Sequence, residues 1–332
     1  PKAIRLAGSV FAVAIGCGFV ITLELVFRNI EVFAPPPFSR QLSVTNQKQL
    51  HTINPEYAAR FFSGVEVEGM RMAPYPFVEP SPANELRVVV AGGSTVQGYP
   101  HPRRLTASAY MRSMLSDMFP DYSVEVFNLG ITAISSFCVS HVIEDAVQLD
   151  PDVVIIYTGH NEIYGVYGAA SLSAGGNSLW VKSIHYNLMQ LGYSGFLRYA
   201  LGLFSSQNAN NTEALLSVMS GAGNIAQNDV RRKKAEKNLQ LNLVNIADLC
   251  YKNGIGLIVC TVASNERGFA PGFSEPDVDE IAVTKWYKEL DDGHYFLSND
   301  GERAQYHFRE ALQISGEHAW SLFKYAGALE KV

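Results

Sequence analysis

Three short stretches of the sequence place glycine or polar residues directly after apolar runs of strand-like length. The first, VVVAGGSTVQGY, follows a run of valines with two glycines and Ser94. The second is NLG, which ends at Gly130, and the third is GHNE, which contains His160, Asn161 and Glu162. In a parallel sheet, the carboxyl ends of neighbouring strands lie at one edge, where such folds bind ligands. The three stretches therefore predict one shared site.

These residue types could together catalyse nucleophilic attack on an acyl group. A serine at the start of a helix lies beside oriented N–H groups that stabilise negative charge. Gly130 would offer a backbone N–H that no side chain shields, and Asn161 would offer a side-chain NH2 group. Both would act as an oxyanion hole for attack by Ser94. The alternative interpretation of Ser94 is an N-cap without chemistry.

Two other glycine motifs do not fit the first stretch. A nucleophile elbow of the α/β-hydrolase type requires GxSxG, and Val96 occupies the position of its last glycine. A phosphate-binding loop requires Gly-Lys-Ser/Thr at its end, but Gly98 is followed by Tyr99. Both motifs are therefore excluded.

With these three motifs in this order, residues 86–262 resemble the SGNH/GDSL hydrolase family. GGST is similar to the block that carries the nucleophile, here Ser94. NLG and GHNE are similar to the blocks that supply the oxyanion glycine and asparagine, here Gly130 and Asn161. The resemblance implies a flavodoxin-like, three-layer α/β fold and a serine esterase or acyltransferase. This chain departs from the family pattern at Gly93, where GDS has Asp, and at Glu162, where Asp often follows the Asn.

The general base is less clear from the sequence. The family has an Asp-x-x-His block near its carboxyl terminus, and Asp291 and His294 have this spacing. They lie within a predicted repeat helix, however, and the resemblance implies that the true pair follows the repeats, beyond Val332. A serine hydroxyl without a base is a weak nucleophile.

The pattern around these motifs predicts alternating strands and helices. Short apolar runs predict strands at 86–91, 123–129, 152–158 and 254–262. Helical spacing predicts helices at 105–119, 137–149 and 228–254. This alternation is typical of a parallel sheet covered on both faces by helices. We expect this domain to span 86–275, with an insertion at 165–225 that would be a lid or a docking surface.

The C-terminal segment, 276–332, has a different pattern. Ala304, Phe308 and Ala311 follow the alternation of small and large residues found in tetratricopeptide repeats, although Asp292 replaces the usual glycine and Gly316 the usual proline. One such repeat cannot bury its own apolar face. It would therefore pack on the main domain or on another protein.

The N-terminal segment predicts a membrane anchor at 1–28. Leu6 to Leu23 is a run of eighteen residues without a charge, long enough to cross a bilayer. Lys2 and Arg5 precede it, which favours a cytoplasmic N-terminus and a periplasmic main domain at the inner membrane. A cleaved signal peptide is the alternative. Residues 29–85 are rich in proline and predict a linker and an irregular segment.

The net charge and the cysteine pattern limit which partners and cofactors we expect. The 332 residues carry a formal net charge of −6, so no positive field would attract nucleic acid, and we expect no nucleic-acid partner. The cysteines form no CxxC motif or Cys/His cluster with metal-ligand spacing, so we expect no metal and no cofactor. They are Cys17, Cys138, Cys250 and Cys260.

Two functions are consistent with the sequence. The first is a membrane-anchored serine esterase or acyltransferase that acts outside the inner membrane on an acylated glycan or lipid. The second is a catalytically inactive scaffold or accessory subunit of a membrane protein complex. Such a scaffold would bind its partners through the repeat helices or the 165–225 insertion.

Overall fold

A computed structural model provides the structure. It describes residues 11–19, 22, 35–45, 48–62, 71–171, 178–190, 225, 229–264, 267–268, 270–271, 276, 278–316 and 318–332. The chain divides into two compact units. The first comprises Pro1–Ala222 and Lys233–Val262, and the second comprises Gly223–Arg232 and Ala263–Val332.

Strands and helices alternate through most of the first unit, and the second is helical. The strands are β1 (Ser39–Thr45), β2 (Lys48–Ile53), β3 (Pro76–Glu79), β4 (Glu85–Gly92), β5 (Ser123–Gly130), β6 (Val153–Tyr157) and β7 (Gly256–Val259). The helices are α1 (Ser94–Gln97), α2 (Ala107–Met118), α3 (Ser136–Ala146), α4 (Leu179–Gln190), α5 (Val230–Lys252), α6 (Glu280–Phe296), α7 (Gly301–Ser315) and α8 (Ala319–Leu329).

The main sheet is parallel and has the strand order β5-β4-β6-β7. Counted along the chain, these are the second, first, third and fourth strands of the sheet, which is the order of the flavodoxin-like fold. The four predicted strands and the three predicted helices of this region are confirmed to within a few residues at their ends. The α/β fold with a parallel sheet is therefore confirmed.

Side chains of β4 alternate between the two faces of this sheet. Val88 and Val90 join a cluster with Met111 and Leu115 of α2. The next residues, such as Val89, join the larger core, to which α3 and α5 also contribute. Helices thus cover both faces of the sheet, which explains why β4 is an almost continuous apolar run.

The described part of residues 29–85 contains more regular structure than the predicted linker and irregular segment. β1, β2 and β3 form an antiparallel sheet. Phe38, Ile53 and Phe77 are buried and belong to the same core as β4 and β5. The prolines suggested irregular structure, but Pro76 is the first residue of β3, where a strand tolerates proline.

Arg87 connects this small sheet to the parallel sheet. Its guanidinium is buried and donates to the carbonyl oxygens of Val78 (2.6 Å) and Leu149 (2.7 Å). It also pairs with Glu85, with 2.5 Å between Nε and Oε1. A buried charge with these partners links β3, β4 and the turn before β6.

Three helices, α6, α7 and α8, form the core of the second unit. Ala304, Phe308 and Ala311 are buried on α7, as their spacing indicates. Gly293 of α6 packs so closely on the Phe308 ring that an added Cβ would lie 2.6 Å from it. Gly293, one residue after Asp292, therefore allows these two helices to approach. The tetratricopeptide assignment itself stays a prediction.

The predicted membrane anchor lies mostly outside the described residues. Residues 11–19 are helical, and Phe11, Ile15 and Phe19 are exposed there. Among the described residues, no helix combines the length and the apolar character needed to cross a membrane. The 165–225 insertion is described at 165–171, 178–190 and 225, and it contains α4.

Replacing Arg87 with methionine tests the connection between the two sheets. Arg87→Met leaves the Glu85 carboxylate without its partner and two buried carbonyls without a donor, so the free energy of unfolding should fall by about 3–5 kcal/mol. Urea denaturation measures this change. Arg104→Met, at an exposed position, is the matched control and should change stability little. Equal stability of both variants would contradict this role of Arg87.

Candidate active site

Three strand ends meet in register at one edge of the parallel sheet. Gly92, the last residue of β4, pairs with Gly130 of β5 on one side and with Tyr157 of β6 on the other. GGST begins at Gly92, NLG ends at Gly130, and GHNE follows directly after Thr158, next to Tyr157. The structure therefore brings them to one edge, as the sequence predicts.

Close packing at Gly92 determines where Ser94 lies. An added Cβ there would overlap the Tyr157 carbonyl oxygen and lie 2.7 Å from Cγ2 of Val96. Since glycine has no such atom, the chain turns at once from β4 into α1. Ser94 is the first residue of this helix and is half-buried.

Ser94 is available for chemistry in this position. In the described part of the chain, no residue forms a hydrogen bond with its side-chain hydroxyl. The N-cap position of α1 is occupied by Gly93 and not by Ser94. Ser94 therefore does not have the alternative role of an N-cap. Among the described residues, no hydrogen bond of the Ser94 hydroxyl gives it a structural role at this edge of the sheet.

Asn161 lies next to the residue that precedes Ser94. Its Nδ2 would be 3.0 Å from a Cβ added to Gly93. The same nitrogen donates to the Ile134 carbonyl oxygen at 3.1 Å, which orients the amide and uses one of its two hydrogens. A polar N–H group is thus held beside the start of α1, where an oxyanion from attack by Ser94 would form.

Gly130 packs directly on α1. An added Cβ would overlap the backbone nitrogen of Gln97 and lie 2.7 Å from the Val96 carbonyl carbon. The Gly130 N–H donates to Oδ1 of Asn128 at 3.0 Å, and Asn128 Nδ2 donates to the Val96 carbonyl at 2.6 Å. An oxyanion would have to replace Asn128 as the acceptor, so the predicted donor role of Gly130 stays a prediction.

The histidines near these residues have other surroundings. His160 is exposed and lies edge-on to Tyr157, with 5.5 Å between the ring centroids. Asp291 and His294 belong to α6 in the second unit, where the His294 ring faces Phe308 edge-on at 5.7 Å. Burial, and then Lys324, lower the pKa of His294, whereas Asp291 raises it. The role of Asp291 and His294 as a base pair stays a prediction.

Glu162 is a functional candidate that the sequence showed only as a departure from the family pattern. Its carboxylate accepts hydrogen bonds from the Ser136 backbone N–H at 2.8 Å and from the Ser136 hydroxyl at 2.7 Å. Burial raises the pKa of Glu162, and these bonds and the charge of Lys182 oppose that increase. Burial lowers the pKa of Lys182 to about 8, although Glu162 opposes this. No spacing in the sequence indicated that Lys182 would lie here.

Comparison with known proteins gives matches among solved structures alone. No family model matches the sequence, and no match to a curated protein was found. The chain is similar to TesA at 13% identity and a TM-score of 0.30, over 68% of this chain and 73% of TesA.

Two further similarities are to a two-domain esterase and a lipase. The esterase is active on acetylated mannans (17% identity, TM-score 0.24, 58% of this chain and 55% of that chain). The other is a GDSL-like lipase from Bacteroides thetaiotaomicron (13% identity, TM-score 0.21, 52% of this chain and 67% of the lipase chain).

Gly130→Ala tests the close packing under α1. The added Cβ overlaps the Gln97 backbone, so α1 must shift and the free energy of unfolding should fall by about 1–3 kcal/mol or more. Gly256→Ala in β7 is the control, because its Cβ would be no closer than 3.3 Å to another residue. Urea denaturation compares the two, and unchanged stability of Gly130→Ala would show that the packing is loose.

Lys182→Met tests whether the charge of Lys182 acts on Glu162, through the dependence of folding stability on pH. Without Lys182 the pKa of Glu162 rises further above its ordinary value of 4.5. A carboxyl with a higher pKa in the folded than in the unfolded state loses folding stability as pH rises above the unfolded value. The variant should therefore lose stability relative to the wild type as pH rises from 4 to 7, so that its deficit at pH 7 exceeds its deficit at pH 4.

Thermal or urea unfolding at several pH values measures that deficit. Lys252→Met, at an exposed position near the end of α5, is the control and should show no comparable dependence on pH. A deficit for Lys182→Met that is constant from pH 4 to pH 7 would contradict the coupling to Glu162.

Proposed function

We propose that this chain is an SGNH-type serine hydrolase, an esterase or acyltransferase with Ser94 as the nucleophile. The observation that carries the proposal is the paired register of Gly92 with Gly130 and Tyr157. Ser94 lies two residues after Gly92, and the amide of Asn161 lies next to Gly93, which supports a shared site for the two groups. Few structural roles require both groups at the ligand-binding edge of a parallel sheet.

The reaction follows from these groups. Oγ of Ser94 attacks the acyl carbonyl carbon while a general base takes the hydroxyl proton. The carbonyl oxygen becomes an oxyanion, which accepts a hydrogen bond from Nδ2 of Asn161. The alcohol of the ester then leaves with a proton from the same base. Water or a second hydroxyl attacks the acyl-serine, releases the acyl group and restores Ser94.

The proposal assigns the base to an Asp/His pair of the natural protein. Asp291 and His294 have the spacing of such a pair in this sequence. No cofactor takes part in this mechanism. The serine, the amide and a base are sufficient for acyl transfer of this type.

We also propose that the domain is anchored in the inner membrane and acts outside it. The uncharged run from Leu6 to Leu23 and the positive Lys2 and Arg5 before it support this location. The exposed apolar side chains of residues 11–19 are consistent with it. An acyl ester on an envelope glycan or lipid would be the accessible substrate there.

Covalent labelling of the full-length natural protein by a fluorophosphonate tests the nucleophile. We expect labelling at Ser94, none in Ser94→Ala, and labelling slowed by about 10²–10³-fold in Asn161→Ala because one oxyanion donor is lost. Mass spectrometry locates the label, and a thermal melt shows that each variant is folded. A folded wild-type protein that stays unlabelled would favour the alternative, an inactive scaffold or accessory subunit of a membrane complex.

A further inference from the structure

We propose that Glu162 is a positioning residue that sets the orientation of Asn161 through a buried polar cluster. The cluster consists of Glu162, Ser136, Lys182, Asn238 and Asn242, and we call it the Glu162 cluster. The inference rests on the proposed function, because it concerns the oxyanion donor of that reaction. Lys182 lies on α4 of the insertion, and its charge acts on the pKa of Glu162.

The carboxylate of Glu162 binds the first residue of α3 in two ways. It accepts the Ser136 backbone N–H and the Ser136 hydroxyl at 2.8 and 2.7 Å. The N-terminus of a helix favours an anion, because the first N–H groups have no partner within the helix. Glu162 thus fixes the loop after β6 to the start of α3.

Asn161 binds the same segment two residues earlier. Its Nδ2 donates to the Ile134 carbonyl, so adjacent side chains of one loop hold residues 134–136 at two points. The Val166 N–H donates to the Ala133 carbonyl at 2.8 Å, and the Ser135 N–H donates to the Val166 carbonyl at 3.2 Å. The two loops are therefore joined along several residues, and displacement of Glu162 would move Asn161.

The loop itself is tightly folded between these points. The Gly165 N–H donates to the Asn161 carbonyl at 2.9 Å, and the Ala169 N–H donates to the Glu162 carbonyl at 2.7 Å. A Cβ at Gly165 would lie 2.5 Å from Cβ of Asn161. Little room is left for the Asn161 side chain to rotate independently of the loop.

Other elements complete the cluster away from solvent. Asn242 of α5 donates to the Ser136 hydroxyl at 2.9 Å. The side-chain amide of Asn238, on α5, is oriented so that its nitrogen donates to the Lys234 carbonyl oxygen. Its oxygen then accepts a hydrogen bond from Nζ of Lys182 at 3.3 Å. Glu162 is 7% exposed and Lys182 is 1% exposed. A buried carboxylate is tolerated when it is hydrogen-bonded, and the two bonds from Ser136 meet this need for Glu162.

Glu162 acts through Asn161 in this account, since its carboxylate binds Ser136. A double-mutant cycle separates this role from general structural support. The rate of fluorophosphonate labelling at Ser94 is measured for the full-length wild type, Asn161→Ala, Glu162→Gln and the double variant. Glu162→Gln keeps the size of the side chain but places an NH2 group against donors of Ser136.

We expect Glu162→Gln to slow labelling by about 10- to 100-fold in the wild-type background, since misplacement of a catalytic group has effects of this size. In the Asn161→Ala background it should slow labelling by less than about 2-fold, because the group that it positions is absent. Glu236→Gln, at an exposed position of α5, removes the same charge elsewhere and should leave the rate unchanged.

Ser136→Ala is a second variant for the case that Glu162→Gln does not fold. It keeps the backbone bond to Glu162 and removes the hydroxyl bond, so it should show a smaller effect with the same dependence on Asn161. An equal loss in both backgrounds, or no loss in either variant, would overturn the positioning role. A folded wild type that is not labelled would instead overturn the proposed function, and this inference with it.

Discussion

The site depends on a close approach of backbone to backbone at one edge of the parallel sheet. Gly92 lies against the Tyr157 carbonyl and Val96, and Gly130 lies against the backbone of α1. Any larger residue at these positions would push α1 away from the strand ends. The absence of two side chains therefore determines where Ser94 lies, and the ladder hydrogen bonds of three strands maintain that position.

The fold could be predicted from the sequence because its signals are local. The apolar runs of β4, β5 and β6 and the glycines after them indicate buried parallel strands and tight turns, and the order of the motifs places their ends together. β1 to β3 could not be predicted in this way. Their buried residues are separated by polar stretches and prolines, and their order comes from packing on the main core, which is a long-range contact.

The same distinction applies to the site. Ser94, Gly130 and Asn161 were found because each follows a strand in a recognisable motif. Lys182 and Asn242 were not found, because they lie on helices distant in sequence from Glu162 and Ser136 and their own sequence surroundings resemble an ordinary amphipathic surface. Buried polar contacts between elements have no spacing in the sequence, and only the folded chain shows them. The sequence signal that could have been used was the change from Asp to Glu after Asn161.

The Glu162 cluster indicates how buried polar groups behind the sheet can support the site. Ser136 of α3 donates both recorded hydrogen bonds to the Glu162 carboxylate, and Asn242 of α5 donates to the Ser136 hydroxyl. The loop that carries Asn161 is thereby joined to the helical layer behind the sheet. This arrangement makes the orientation of one amide depend on the packing of the whole domain.

The central claim is that Ser94 and Asn161 share one reacting centre. A crystal structure of the full-length protein after reaction with a fluorophosphonate tests it most directly. The account predicts a phosphonyl group on Oγ of Ser94, with one of its oxygens about 3 Å from Nδ2 of Asn161. A phosphonyl group on Ser94 whose oxygens all lie beyond hydrogen-bond reach of Asn161, or one bound to another residue, would contradict it.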